Sequence, residues 1–173
     1  MKSLKELYRI GKGPSSSHTI GPERACRLFL EENPEADNFA VTLYGSLAKT
    51  GAGHGTENVI KSILPSVTVH YDMETTTPHP NTMDLIAYQN NVALAQMRIY
   101  SVGGGAIQIE GRKETDGAEK YPLNLLSEIR AYCEARNMRL YDYVFECESE
   151  EIKVYLSEVW ATRKQAGERG GAQ

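Results

Sequence analysis

Two apolar, strand-favouring runs, 83–89 and 92–102, meet across the dipeptide Asn90-Asn91. Asparagine tolerates the left-handed backbone of a two-residue hairpin turn, so the pair predicts antiparallel strands and commits the middle of the chain to a sheet. Gly103-Gly104-Gly105 interrupts the second run, and 106–110 resumes it with Ile107 and Ile109 in alternation. Upstream, 39–43 places Val41 and Leu43 on one face and reads as another strand. Residues 65–80 read as irregular apart from Val67-Thr68-Val69-His70, because Pro65, Pro78, Pro80 and Thr75-Thr76-Thr77 interrupt regular structure.

The remaining apolar periodicity is helical. Leu4, Leu7, Tyr8 and Ile10 predict a short helix ended by Gly11-Lys12-Gly13-Pro14. A second begins within Ser15-Ser16-Ser17-His18-Thr19, carries Cys26, Leu28 and Phe29 on its apolar face, and stops at Asn33-Pro34. The glycine-rich stretch 45–55 reads as a loop entering a helix with Val59, Ile60, Ile63 and Leu64. Beyond 112 a polar connector (112–120) leads to three helical patterns, 123–136, 140–145 and 151–164, and then to a polar tail. The expected fold is α+β: a small, mostly antiparallel sheet of about four strands packed with helices. Residues 1–112 are its expected core, 113–164 a helical extension and 165–173 a frayed tail.

A formal net charge of −4 gives no general pull toward nucleic acid or a membrane surface. No apolar run reaches the roughly 18 residues of a membrane span, and the N-terminus lacks the apolar stretch of a signal peptide. The expectation is a cytoplasmic protein. Cys26, Cys133 and Cys147 are widely spaced and contain no C-x-x-C pair. An iron–sulfur cluster is typically held by about three or four thiolates, which these do not supply at one place. The histidines His18, His54, His70 and His79 show no zinc spacing.

Three segments are richer in chemistry than packing requires. Gly13-Pro14-Ser15-Ser16-Ser17-His18-Thr19 puts hydroxyls and an imidazole at a helix start, where a carboxylate or phosphate is favoured; simple serine capping is the alternative. In Gly51-Ala52-Gly53-His54-Gly55-Thr56 the flanking glycines expose a histidine suited to proton transfer or carboxylate binding. The preceding Tyr44-Gly45-Ser46-Leu47-Ala48-Lys49-Thr50 follows a strand but is not a phosphate-binding loop of the G-x-x-x-x-G-K-[ST] type. Gly103-Gly104-Gly105 is either a turn or a place of close approach. A hydrolase using Ser17 or Ser46 would lack the G-x-S-x-G elbow.

Taken in order, these segments, with Leu43-Tyr44-Gly45-Ser46-Leu47-Ala48, His79-Pro80-Asn81-Thr82 and Ser101-Val102-Gly103-Gly104-Gly105, resemble the β domain of iron–sulfur L-serine dehydratases over roughly residues 5–145. Tyr121-Pro122-Leu123 and the helices after it resemble the segment leading toward that family's α domain. The resemblance implies conversion of L-serine to pyruvate and ammonia by an enzyme whose [4Fe–4S] cluster is held by a separate α chain or domain, with no cluster on this chain. It implies His54 and His18 as catalytic groups, and Ser15, Ser16, Ser17, Thr19, Gly53, Gly55, Thr56 and Asn81 as substrate-binding positions. His54 is the candidate for proton transfer; His18 and the serines are the candidates for holding the substrate carboxylate. It implies a fold similar to the allosteric substrate-binding domain of some D-3-phosphoglycerate dehydrogenases, and a partner surface for the α component or a homodimer. Glu57, where Asp is expected, and Glu23, where an apolar residue is common, depart from the family pattern. The alternative is a stand-alone module that senses an amino-acid or hydroxy-acid carboxylate.

Overall fold

The structure is a computed structural model that describes residues 1–11, 13, 15–113 and 119–170. Lys12 and Pro14, residues 114–118 and the last three residues lie outside the described residues. In chain order the elements are α1 (Leu4–Leu7), α2 (Ile20–Glu32), β1 (Asn38–Tyr44), α3 (Gly45–His54), α4 (Thr56–Ile63), β2 (Val67–Asp72), β3 (Thr82–Gln89), β4 (Val92–Gly103), β5 (Ala106–Ile109), α5 (Leu126–Ala135), α6 (Leu140–Glu148) and α7 (Glu151–Gly170). They form two compact units: residues 11–114, and residues 1–10 together with 115–173. No helix among the described residues is long and apolar enough to cross a membrane.

The sheet unit is α+β, with strand order β2-β1-β3-β4-β5. The hairpin forms as expected, with Asn90 and Asn91 both at positive φ and Gln89 paired with Val92. All pairings are antiparallel except β1 with β2, which are parallel. The sheet thus has five strands where about four were expected. Val67-Thr68-Val69-His70 extends into a full strand because α3 and α4 carry the chain back across the sheet, as a parallel neighbour requires.

The stretch read as a loop is instead helix α3, with Leu47, Ala48 and Gly51 buried. Its glycines lower helix propensity, and packing overrides them. Gly45 starts it at φ +50, and a Cβ there would stand 2.5 Å from the Pro80 carbonyl oxygen. Only glycine lets the 79–82 loop seat on the strand-to-helix turn, where the Ser46 amide donates to that carbonyl at 2.7 Å.

Alternation along β1 sends Phe39, Val41 and Leu43 to one face, where Met83, Leu85 and Ile99 join them. Ala25, Cys26 and Phe29 of α2, Leu47 of α3 and Ile60 of α4 cover that face. Burial of each large side chain stabilises the unit by about 2 kcal/mol. On the opposite face Arg98 forms a two-bonded ion pair with Asp84 at 2.6 and 2.7 Å, and the Tyr44 hydroxyl donates to Asp84 at 2.9 Å.

In the helical unit, Tyr121, Ile129, Cys133 and Tyr143 form a small core with Leu4 packed against it. Helix α1 is shorter than its apolar pattern, because Tyr8 turns to extended backbone. Residues 165–170, read as a frayed tail, continue α7 instead. An apolar hollow of about 490 Å³ is lined in part by Leu4, Leu7, Ile129 and Leu140, and its lining among the described residues includes no histidine.

Candidate functional site

Helix geometry sets the site. Ser46, Thr50 and His54 recur every four residues and share one face of α3. All three meet His18, which arrives on the turn before α2. His18 Nε2 lies 3.2 Å from Ser46 Oγ and 2.9 Å from Thr50 Oγ1. Its ring centroid is 4.8 Å from that of His54, tilted by 55°. His18 Nδ1 lies 3.1 Å from Ser15 Oγ and 3.0 Å from Ser17 Oγ, and those hydroxyls are 3.2 Å apart. The structure thus brings together the first two motifs, 28 residues apart in sequence at the His18–Ser46 contact.

The serines do not cap α2. Thr19 occupies the N-cap without a side-chain bond to the helix, and its hydroxyl donates to the Ser15 carbonyl at 2.8 Å. Residues 15–19 form a tight turn, with the amides of His18 and Thr19 both donating to the Ser15 carbonyl. This shape turns the Ser15 and Ser17 hydroxyls toward the imidazole.

The third and fourth motifs adjoin the same patch. The Ser101 amide donates to the Asn81 carbonyl at 2.9 Å, and Asn81 Nδ2 donates to the Ser101 carbonyl at 3.3 Å. A Cβ on Gly21 would stand 2.1 Å from Ser101 Oγ, so α2 crosses the end of β4 at glycine-only distance. His79 turns back on its own loop, its Nδ1 accepting from the Asn81 amide at 3.0 Å. His70 is exposed on β2. Gly103, Gly104 and Gly105, all at positive φ, make the tight turn from β4 to β5.

Burial shapes the chemistry. His18 is 7% exposed, and burial, followed by the nearby His54 ring, pushes its pKa below the usual histidine value despite a hydrogen bond to the Ser46 backbone. Four buried polar atoms in the sheet unit have no hydrogen-bond partner among the described residues: His54 Nδ1, Thr56 Oγ1, Asn81 Oδ1 and Ser101 Oγ. Each belongs to one of the motif segments. Such atoms cost about 1–3 kcal/mol when left unpaired, so their clustering marks a place built for something other than packing.

Sequence reasoning missed Thr50 and gave Ser46 only a discarded role. The signal was present: Ser46, Thr50 and His54 are spaced by four, which would have aligned them had 45–54 been read as a helix. Glu57, a departure from the family pattern, is engaged in an ion pair with Lys61 at 2.7 Å and accepts from the Tyr71 hydroxyl at 2.7 Å. Glu23 pairs with Arg27 at 2.9 Å.

Residues 3–67 match the family model described as serine dehydratase beta chain. Over this region the chain is similar to the serine dehydratase beta chains. It is 29% identical to L-serine dehydratase 1 of Escherichia coli, over 98% of this chain and 49% of that protein. It is 29% identical to an L-serine dehydratase of Streptomyces coelicolor, over 97% and 49% of the respective chains. A shorter stretch, 34% of this chain and 14% of the relative, is 50% identical to an L-serine dehydratase of Mycobacterium tuberculosis. The chain spans about half the length of the first two of these relatives.

The cysteines do not form a cluster site. Cys26 is fully buried in the sheet-unit core, and burial pushes its thiol up to about 12. Cys133 lies in the core of the helical unit, with Cys147 half-buried against it. Among the described residues no three His, Cys, Asp or Glu side chains are grouped to hold a metal ion.

Proposed function

We propose that this chain is the β component of an iron–sulfur L-serine dehydratase and lends substrate-binding and proton-transfer groups to a site completed by an α chain or domain. The observation that carries the reading is the His18–His54 pair, with rings 4.8 Å apart and His54 Nδ1 buried without a partner. The [4Fe–4S] cluster belongs to the α component, since the cysteines here do not fit one. L-serine's carboxylate is held at the hydroxyls of Ser15, Ser16 and Ser17, beside Thr19, with Gly53, Gly55, Thr56 and Asn81 bordering the substrate. His54 takes the α-proton and passes it to the departing β-hydroxyl, which leaves as water. The aminoacrylate left behind hydrolyses to pyruvate and ammonia. The enzyme works in the cytoplasm, and the exposed glycine-bearing segments meet the α component or a second copy of the chain. The family resemblance also supports a likeness to the allosteric substrate-binding domain of some D-3-phosphoglycerate dehydrogenases.

The test is anaerobic co-expression with a candidate α chain or domain, assaying pyruvate formed from L-serine. Activity should require both parts and fall at least about 100-fold in His54→Ala. Full activity in that variant would remove His54 from the chemistry. Failure of any α component to restore activity, with tight L-serine binding by this chain alone, would favour the carboxylate-sensing module instead.

A further inference from the structure

We infer that Thr50 is a positioning residue that keeps the His18 proton on Nε2 and turns the Nδ1 lone pair toward Ser15 and Ser17. A threonine hydroxyl has a single proton to give. Thr50 Oγ1 lies 2.7 Å from the Ser46 carbonyl oxygen one helical turn back, and a carbonyl can only accept. With its proton committed there, the same oxygen can only accept from His18 Nε2, 2.9 Å away. Nε2 must therefore carry hydrogen. A neutral imidazole has one N–H, so Nδ1 is the bare nitrogen. The two hydroxyls beside it, Ser15 Oγ and Ser17 Oγ, can each rotate to donate. Ser46 Oγ, 3.2 Å from Nε2, can accept as well and does not oppose this pattern. Burial, which disfavours the charged ring, keeps His18 in the neutral form to which the argument applies.

The consequence deepens the dehydratase reading and rests on it for its catalytic meaning. A neutral His18 offers no N–H on its serine side, so it cannot itself donate to a substrate carboxylate there. One serine is held by donation to Nδ1. The other, 3.2 Å from it, keeps the only hydroxyl proton of the pair that can point outward. The carboxylate donor is thus a serine hydroxyl aligned by His18, and His18 is aligned in turn by Thr50.

The experiment uses the 173-residue chain with ¹⁵N-labelled histidine and long-range ¹H–¹⁵N correlation spectra at about pH 8, where neutral imidazole dominates. The His18 signals are assigned by their loss in His18→Gln. Nδ1 should resonate as an unprotonated nitrogen and Nε2 as a protonated one. In Thr50→Val, which keeps the side-chain shape at an exposed helical position, both nitrogens should shift toward the average of the two tautomers. Thr50→Ser should restore the wild-type pattern. A proton on Nδ1 in the wild type, or unchanged His18 signals in Thr50→Val, would overturn the inference. The readout needs no α component, so an inactive complex with the expected His18 signals would count against the dehydratase reading alone.

Discussion

Each unit buries a polar centre, and the two are finished differently. In the helical unit the Glu148 carboxylate is 3% exposed and accepts from Ser3 Oγ at 2.7 Å, the Leu4 amide at 2.5 Å and the Tyr121 hydroxyl at 2.8 Å. Two of its donors precede the sheet unit in the chain and one follows it, and the carboxylate pins them together. In the sheet unit the His18 ring is also buried, yet among the described residues the polar atoms of the motifs around it include four without partners, against one in the helical unit, the Tyr143 hydroxyl. A saturated buried polar group is architecture. A patch that keeps unpaired donors and acceptors beside a buried imidazole carries a stability cost, the pattern expected of the shared site proposed above.

The sharpest way to break this contrast is to remove the central group from each side. Glu148→Ala strands three donors and should destabilise the helical unit by about 3 kcal/mol, read by hydrogen exchange at amides of α5 and α6. His54→Ala should change sheet-unit stability by less than about 1 kcal/mol while abolishing the shared activity. Comparable stability losses in the two variants would erase the distinction between a structural and a functional centre.

Acid should separate the units next. Burial and the neighbouring His54 lower the His18 pKa, so the folded sheet unit binds fewer protons than the unfolded chain. Its contribution is complete above the ordinary histidine value of 6.5 and is lost as pH falls through the lower folded value. Burial raises the Glu148 carboxyl, but hydrogen bonds from Ser3, Leu4 and Tyr121, with Lys120 nearby, hold it below its ordinary 4.5. The helical unit should therefore keep its Glu148 contribution until the pH drops under about 4.5 and lose it through the lower folded value. Exchange rates followed from pH 7 to 4 should show the sheet unit weakening first, and His18→Gln should flatten that response.

The smallest effect is expected at Gly53. It sits inside α3, and a Cβ added there meets nothing within 4 Å. Gly53→Ala should stabilise the isolated chain by about 0.5–1 kcal/mol in chemical denaturation. If the same variant loses activity with the α component, the glycine is kept for close approach by the partner; if activity is unchanged, it is not.

Much of this was legible in the sequence where the signal was local. Asn90-Asn91 between apolar runs announced the hairpin, and the alternation of Val41 and Leu43 announced β1. What escaped depended on contacts distant in sequence. Strand β2 has few apolar residues and exists because β1 offers it a parallel edge. Helix α3 contradicts its glycine content because Leu47 and Ala48 pack into the core. Thr50 was invisible for the same reason, since its alignment with His54 appears only once the helix is granted. His18 and His54 were singled out singly, but their pairing needed the fold. Glu148 carried no local cue: a glutamate near a helix end reads as solvated until Ser3 is found beside it.

The Ser3–Glu148 bond spans 145 residues, and the whole sheet unit lies between its two partners in the chain. During synthesis at roughly 5–20 residues per second, Ser3 waits on the order of ten seconds for its acceptor to be made. The sheet unit, whose pairings are complete by Ile109, can form within that interval. The ribosome thus delivers the two units in order, and the first ten residues of the chain are among the last to find their place.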